Sequence, residues 1–414
     1  MPAVPPNADL LVVGGGPAGA AAAIIAARAG FAVTLVDKAT FPRDKCCGDG
    51  LTTGALRRLE QLGLDAADVP SWQPVDEVRV TSSSGRNVLY PLPTGQGLFA
   101  AVATRADLDD ALLKVARSAG VRVLEGHAVT GARPGLGSSA MVLEVEGIGE
   151  LAAPYVIGAD GMWSPLRKML QPPVPPPSEP YLGEWHAYRQ YFSGVDTAES
   201  RDLCVWFEPD LLPGYVWSFP LPDGRANVGF GIERTPHTPT KIMKELWPRL
   251  LERPHIASVL GPTATPEGSP KAWPIPAAIR KATLSIGRTL FVGDAARACD
   301  VLTGEGIGQA LETGMAAAEA VAAGFGRGPQ DVSRRYQDHV DRNMGPDDRM
   351  ASWLQSAMHR EWVCRGAVRL SGATGWTQRN FGRWLFEDYP RGIAITPRRW
   401  RRGTMSGPGA YRTS

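Results

Sequence analysis

The chain has 414 residues, of which 44 are Lys or Arg and 42 are Asp or Glu, for a net charge of +2. That balance leaves no electrostatic footprint for a nucleic acid, and the length suits two or three domains with substantial cores. The five cysteines (Cys46, Cys47, Cys204, Cys299 and Cys364) are too few and too scattered for a disulfide framework. Neither they nor the six histidines have metal-ligand spacing, so no metal is expected.

Met1-Pro-Ala-Val-Pro-Pro lacks a basic segment leading into an apolar core, so no signal peptide is expected. A reducing, cytoplasmic setting is the simplest reading. The apolar stretch from Leu10 to Ala27 is broken by Gly14, Gly15, Gly16 and Pro17, and reads as strand and turn, not as a membrane span.

Asp9–Val13 is a short apolar run of the kind that forms a buried parallel strand. Pro17 suits the first turn of a helix and Gly30 its end. With Ala32–Val36 as the next strand, these make a βαβ unit. Leu51–Leu64 predicts a helix, and Val75–Thr81 with Asn87–Tyr90 a hairpin. Arg105–Ala119 predicts a helix capped by Thr104. Val121–Leu124 and Met141–Val145 read as strands returning the chain to a turn at Asp160.

Pro172-Pro-Val-Pro-Pro-Pro-Ser reads as a stiff linker. Beyond it, Glu184–Phe192, Asp202–Phe207, Tyr215–Pro220 and Ala226–Ile232 predict a second sheet, and Lys241–Leu251 a helix. Leu290–Val292 returns as a strand and Gly308–Ala323 as a helix. The remainder reads as helical or irregular, rich in Trp and Arg.

Three separated turns carry the chemistry. In Gly14-Gly15-Gly16-Pro17-Ala18-Gly19, Gly14 permits a tight reversal, Gly16 lets backbone approach a pyrophosphate, and Gly19 lets helix lie close on strand. The helix N-terminus offers bare N–H groups to that anion. Asp37, eighteen residues after Gly19, is placed for adenosine ribose hydroxyls, with Lys38 beside it. The second turn is Asp160-Gly161, a brace for cofactor or for strand packing. The third is Gly293-Asp294, followed by Gly304, Gly306 and Ile307: the acid suits a ribityl chain, and the helix opening at Ile307 points its positive end at a flavin pyrimidine edge. Arg105 and Val129 complete the expected cofactor contacts. Three such turns fit FAD better than a nicotinamide. The fold class that follows is α/β: a discontinuous Rossmann-type FAD domain (1–75, 102–180 and 275–345), a mixed β-sheet substrate domain (76–101 and 181–274) and a helical C-terminal segment with a basic tail (346–414).

These fingerprints resemble the flavoprotein superfamily of aromatic hydroxylases, flavin-dependent halogenases and geranylgeranyl reductases. Two further segments select a branch. Phe41-Pro-Arg-Asp-Lys-Cys46-Cys47-Gly48-Asp49-Gly50-Leu51 resembles the Cys-Gly-Asp-Gly loop of geranylgeranyl reductases, and Pro213-Gly-Tyr215-Val-Trp217-Ser-Phe219-Pro220 is similar to their Tyr-x-Trp-x-Phe-Pro strand. The resemblance implies a glutathione reductase-like FAD fold, Cys47 and Gly48 near the flavin, and Tyr215, Trp217 and Phe219 along one face of an apolar substrate cavity. Cys46 and Val301 depart from it, since proline is common at both places.

The function implied is FAD-dependent reduction of carbon–carbon double bonds in an isoprenoid or similarly apolar substrate, with NAD(P)H or another reductant as electron donor. Cys47, Tyr215, His186 or a water are the candidates for the proton. His186 is counted among the substrate-facing residues, although a hydrogen-bonded structural role is the stronger reading for it. The alternative is an FAD-dependent aromatic monooxygenase; a quinone-linked dehydrogenase, a flavin-dependent halogenase and a non-enzymatic prenyl-binding protein rank lower. Trp353, Trp362, Trp376, Trp384 and Trp400, mixed with Arg391, Arg398, Arg399, Arg401 and Arg402, raise peripheral contact with a membrane. The tryptophans are expected to pack as a helical cap, while the basic end reads equally as a membrane contact or as a solvated tail. Oligomeric state is not legible.

Overall fold

Five parallel strands, drawn from distant parts of the chain, make the central sheet. The computed structural model describes residues 8–135, 139–171, 181–235, 241–400 and 404–412. The proline run beginning at Pro172, and Arg401 and Arg402, lie outside them. Leu10–Val13 pairs in parallel with Val33–Asp37 on one side and Tyr155–Gly158 on the other. Arg122–Glu125 and Thr289–Phe291 extend the parallel set outward, and Ser285–Ile286 closes one edge antiparallel. Leu10–Val13 is buried along its length, as a strand covered on both faces must be.

The helix Pro17–Arg28 is nearly all Ala, Gly and Ile, so its neighbours approach its backbone. The helix Ile307–Gly324 lies closest: a Cβ on Gly314 would stand 2.1 Å from the Ala18 carbonyl oxygen. This contact locks the first glycine turn to the third.

The second sheet has seven strands, in the order Thr265–Ile275, Trp185–Ser193, Arg225–Glu233, Tyr215–Leu221, Leu203–Trp206, Glu77–Thr81 and Asn87–Pro91. The early hairpin joins it through a parallel pairing of Glu77–Thr81 with Leu203–Trp206. Helices Lys241–Leu251 and Pro254–Leu260 pack Met243, Trp247, Leu250 and Ile256 on the face carrying Tyr188 and Phe230.

Several elements differ from expectation. The helix expected from Leu51 begins at Thr53, because Thr52 caps it, its Oγ1 accepting from the Ala55 N–H at 3.2 Å. Gly50–Thr52 instead pairs with Ala100–Val102. Val129–Pro134 and Gly149–Ala153 flank Met141–Val145 in an unforeseen meander. Thr265–Ile275 holds three prolines and still forms a strand, because it is the sheet edge, where a missing N–H costs no ladder bond. Helices Gly345–Met358, Glu361–Ser371 and Gly375–Leu385 follow toward the C-terminus.

Candidate active site

The two sheets and the late helices enclose a cavity of about 710 Å³. On one side lie the glycine turns. Gly14 has φ +108°, and a Cβ there would fall 2.3 Å from the Ala159 carbonyl oxygen. Gly19 is set back from the cavity, with only 1.8 Å between its would-be Cβ and the Gly14 carbonyl oxygen. Both are glycine because backbone crowds them. Gly16 differs: a Cβ there would have only the Nη2 atoms of Arg43 and Arg105 near it, each at 3.6 Å. Two guanidinium groups thus face an open glycine at a helix N-terminus that no side chain caps. That is a setting for a pyrophosphate.

Arg105 is buried and forms a fork with Asp109, at 2.8 and 2.7 Å, while Arg43 reaches the same carboxylate at 3.1 Å. Asp37 ends its strand with Oδ2 accepting from the Gly15 N–H at 2.6 Å and Oδ1 from the Ala39 N–H at 2.7 Å. Its carboxylate is therefore held at the cavity rim beside Lys38, with lone pairs left for hydroxyls. Asp160 spends both oxygens on the protein: Ser164 Oγ donates to one and the Leu166 N–H to the other, each at 2.8 Å. With Gly161 at φ +81°, this turn braces the cavity wall.

Gly293, Asp294, Gly304, Gly306, Ile307 and Val129 all line the cavity. The helix from Ile307 opens without a side-chain cap at Gly306. Glu305 Oε1 accepts instead from the Gly308 N–H at 2.6 Å. Burial and the neighbouring Glu387 push the Glu305 carboxyl up to about 8. Arg391 offsets the cluster, with Nε 3.2 Å from Asp300 and Nη2 3.3 Å from Glu387. Arg391 is 2% exposed, so its expected place in a basic outer end is corrected: it is a buried counter-charge. Arg399 also pairs inward, with Asp347 at 2.6 Å.

Tyr215, Trp217 and Phe219 line the other side, with successive ring centroids 6.0 and 6.1 Å apart. The Tyr215 hydroxyl donates to the Thr303 carbonyl, and burial pushes its pKa up, so its proton is held and not offered to a ligand. Trp217 Nε1 donates to Asn227 Oδ1 at 3.1 Å. His186 is corrected as a substrate contact. Its Nε2 lies 3.2 Å from the Leu182 carbonyl, and its strand neighbours Trp185 and Ala187 face the cavity in its place.

Cys47 and Gly48 lie in the wall between the two sides. Burial, reinforced by Asp49, pushes the Cys47 thiol up to about 12, and burial pushes Cys46 to about 11. Both are neutral thiols near pH 7. Sequence reasoning passed over Asp49, which is fully buried, stands at φ +65° and lines the same wall. Its Oδ2 accepts from Tyr191 Oη and Asn227 Nδ2, each at 2.7 Å, while its Oδ1 is buried without a hydrogen-bond partner among the described residues. Burial raises it to about 6. Lys45 was also missed. It sits 3.4 Å from the Trp273 ring centroid, and burial lowers it to about 8. Both lie inside the Cys-Gly-Asp-Gly segment, so their neighbourhood was legible though their partners were not.

An open glycine facing paired arginines, a ribose-ready acid and an uncapped helix beside an aromatic chamber define an FAD-dependent oxidoreductase. The chain belongs to the FAD binding domain family, whose sequence profile matches residues 7–342, and within it to the geranylgeranyl reductases. It is 36% identical over 337 residues to the menaquinone reductase of Mycobacterium tuberculosis, covering 76% of each chain. It is 32% identical over 346 residues to digeranylgeranylglycerophospholipid reductase 1 of Methanopyrus kandleri, covering 80% of this chain and 85% of the relative. In fold it is similar to the crystal structure of a geranylgeranyl bacteriochlorophyll reductase-like protein from Thermoplasma acidophilum. The TM-score is 0.76 at 20% identity, over 95% of this chain and 99% of that one.

Proposed function

We propose that this chain saturates carbon–carbon double bonds in a polyprenyl or similarly apolar, lipid-like substrate. NAD(P)H or another two-electron donor supplies the electrons. The observation that carries the reading is the aromatic row Tyr215–Trp217–Phe219 facing the same cavity as the three glycine turns. The names of the two relatives, reductases of menaquinone and of a digeranylgeranyl lipid, support it.

Gly16, Arg43 and Arg105 would hold the pyrophosphate of FAD, Asp37 its ribose, and Asp294 and the Ile307 helix its flavin half. Bound and reduced, FAD supplies a hydride. The chain's own task is to exclude water, orient the alkene and deliver one proton. Trp217, Phe219, Phe381 and Leu385 supply the apolar walls. An isolated alkene accepts hydride poorly, so a proton must arrive with it. Tyr215 is committed to Thr303, and the Cys47 thiol is a weak acid. Asp49, on the Cys47 loop, lines that wall with its Oδ1 unengaged among the described residues, and is the donor this reading assigns.

Anaerobic turnover with polyprenyl substrates, followed by mass analysis, tests the reading. Each saturated bond adds two hydrogens that survive exposure to air, whereas a reduced quinone ring loses its two on reoxidation. Asp49→Asn should slow saturation more than Cys47→Ala. A product unchanged in mass after air exposure, or substrate-stimulated oxygen uptake, would replace this function with quinone reduction or hydroxylation.

A further inference from the structure

Among the described residues, the helices Gly345–Met358, Glu361–Ser371 and Gly375–Leu385 have two unlike faces. Inward, Leu354, Val363, Val368 and Phe381 line the cavity. Outward, Trp353 is 65% exposed, Trp362 71%, Leu370 72% and Trp376 61%. Tryptophans were expected to pack as a cap; only Trp384, which lines the cavity, does so. Indole rings this bare are uncommon on a water-facing surface unless something covers them.

The charges on the same surface say what that is. Trp362, Arg365 and Arg369 recur at helical spacing on one face, with Leu370 at its edge. Trp376 and Arg379 repeat the pairing on the next helix. Arg360, Arg365, Arg369, Arg379 and Arg398 are all exposed. Against them, residues 349–400 hold three acids. Glu387 and Asp388 are engaged by buried arginines, and Glu361 pairs with Arg365. A second copy of so cationic a face would repel it across a two-fold axis. Aromatic rings set among exposed arginines match the headgroup layer of an anionic bilayer, where indoles sit at the interface and guanidinium groups reach phosphate.

We infer that the outer face of these three helices docks the chain on an anionic lipid surface, with its apolar cavity directly behind the docked helices. The basic tail expected to do this is partly turned inward, since Arg391 and Arg399 bind carboxylates of the protein. The inference stands on the exposed face alone, so it survives or fails independently of the substrate reading.

Flotation of the FAD-loaded full chain tests it, using vesicles of phosphatidylcholine with and without phosphatidylglycerol. The chain should float with the anionic vesicles, remain in solution with the neutral ones, and lose binding as salt rises. Trp362→Ala with Trp376→Ala should weaken flotation about tenfold or more, and so should Arg365→Glu with Arg369→Glu, with flavin absorbance and melting temperature unchanged. Equal flotation of wild type and both variants would overturn the inference. So would failure of the wild type to bind anionic vesicles, or a dimer that the tryptophan variant dissolves.

Discussion

Gly16→Ala separates a glycine kept for a ligand from one kept for the fold. Gly16 has φ −73° and ψ −176°, a conformation any L-residue adopts. The added methyl would meet only the tips of two arginine side chains, at 3.6 Å, an ordinary van der Waals distance. The apoprotein should therefore keep its stability to within about 0.5 kcal/mol. The same methyl occupies the approach to the bare helix N-terminus, where the pyrophosphate must come within hydrogen-bonding range. Affinity for FAD should fall about tenfold or more, roughly 1.4 kcal/mol. Gly19→Ala is the contrast. Its methyl lies 1.8 Å from the Gly14 carbonyl oxygen, so helix and strand must part, at a cost of about 1–3 kcal/mol or more even without cofactor. Thermal melts of the apoproteins and FAD titration by flavin fluorescence measure the two effects. A Gly16→Ala chain that binds FAD as tightly as wild type, or whose apoprotein melts as early as Gly19→Ala, would refute the assignment of this turn.

Asp49 carries a pH signature. Its folded pKa of about 6 lies above the ordinary 3.8, so the folded state holds the proton more tightly than the unfolded chain. The stability this contributes is full below about pH 4 and lost as pH rises to about 6, a change of about 3 kcal/mol. Denaturation curves should show wild type losing that amount relative to Asp49→Asn over this window; parallel pH dependence would refute it. Arg391→Met leaves Asp300 and Glu387 without their buried counter-charge. It should cost about 3–5 kcal/mol in denaturant melts, and a loss below about 1 kcal/mol would show the cluster to be proton-neutralised instead.

The parts of the site legible in the sequence are those written in local pattern. A strand, a glycine turn and a helix follow one another within some twenty residues, and Tyr215, Trp217 and Phe219 alternate, so their common face follows from period two. What escaped was set by distant partners. Asp49 matters because Tyr191 and Asn227, far along the chain, close on its carboxylate. His186 falls one residue out of phase with the cavity, a fact that strand alternation from Trp185 would have caught. The edge strand Thr265–Ile275 hid behind its prolines. For the C-terminal segment, composition showed Trp and Arg but not which of them faced in: Arg391 is buried and four of the five tryptophans are bare.

The most direct measurement is anaerobic. The purified chain should be yellow, bleach on reduction, and regain its oxidised flavin absorbance when a polyprenyl substrate is added in the absence of oxygen, in step with saturated product. A colourless chain, or a flavin that stays reduced in the presence of every polyprenyl substrate until oxygen enters, would contradict the account.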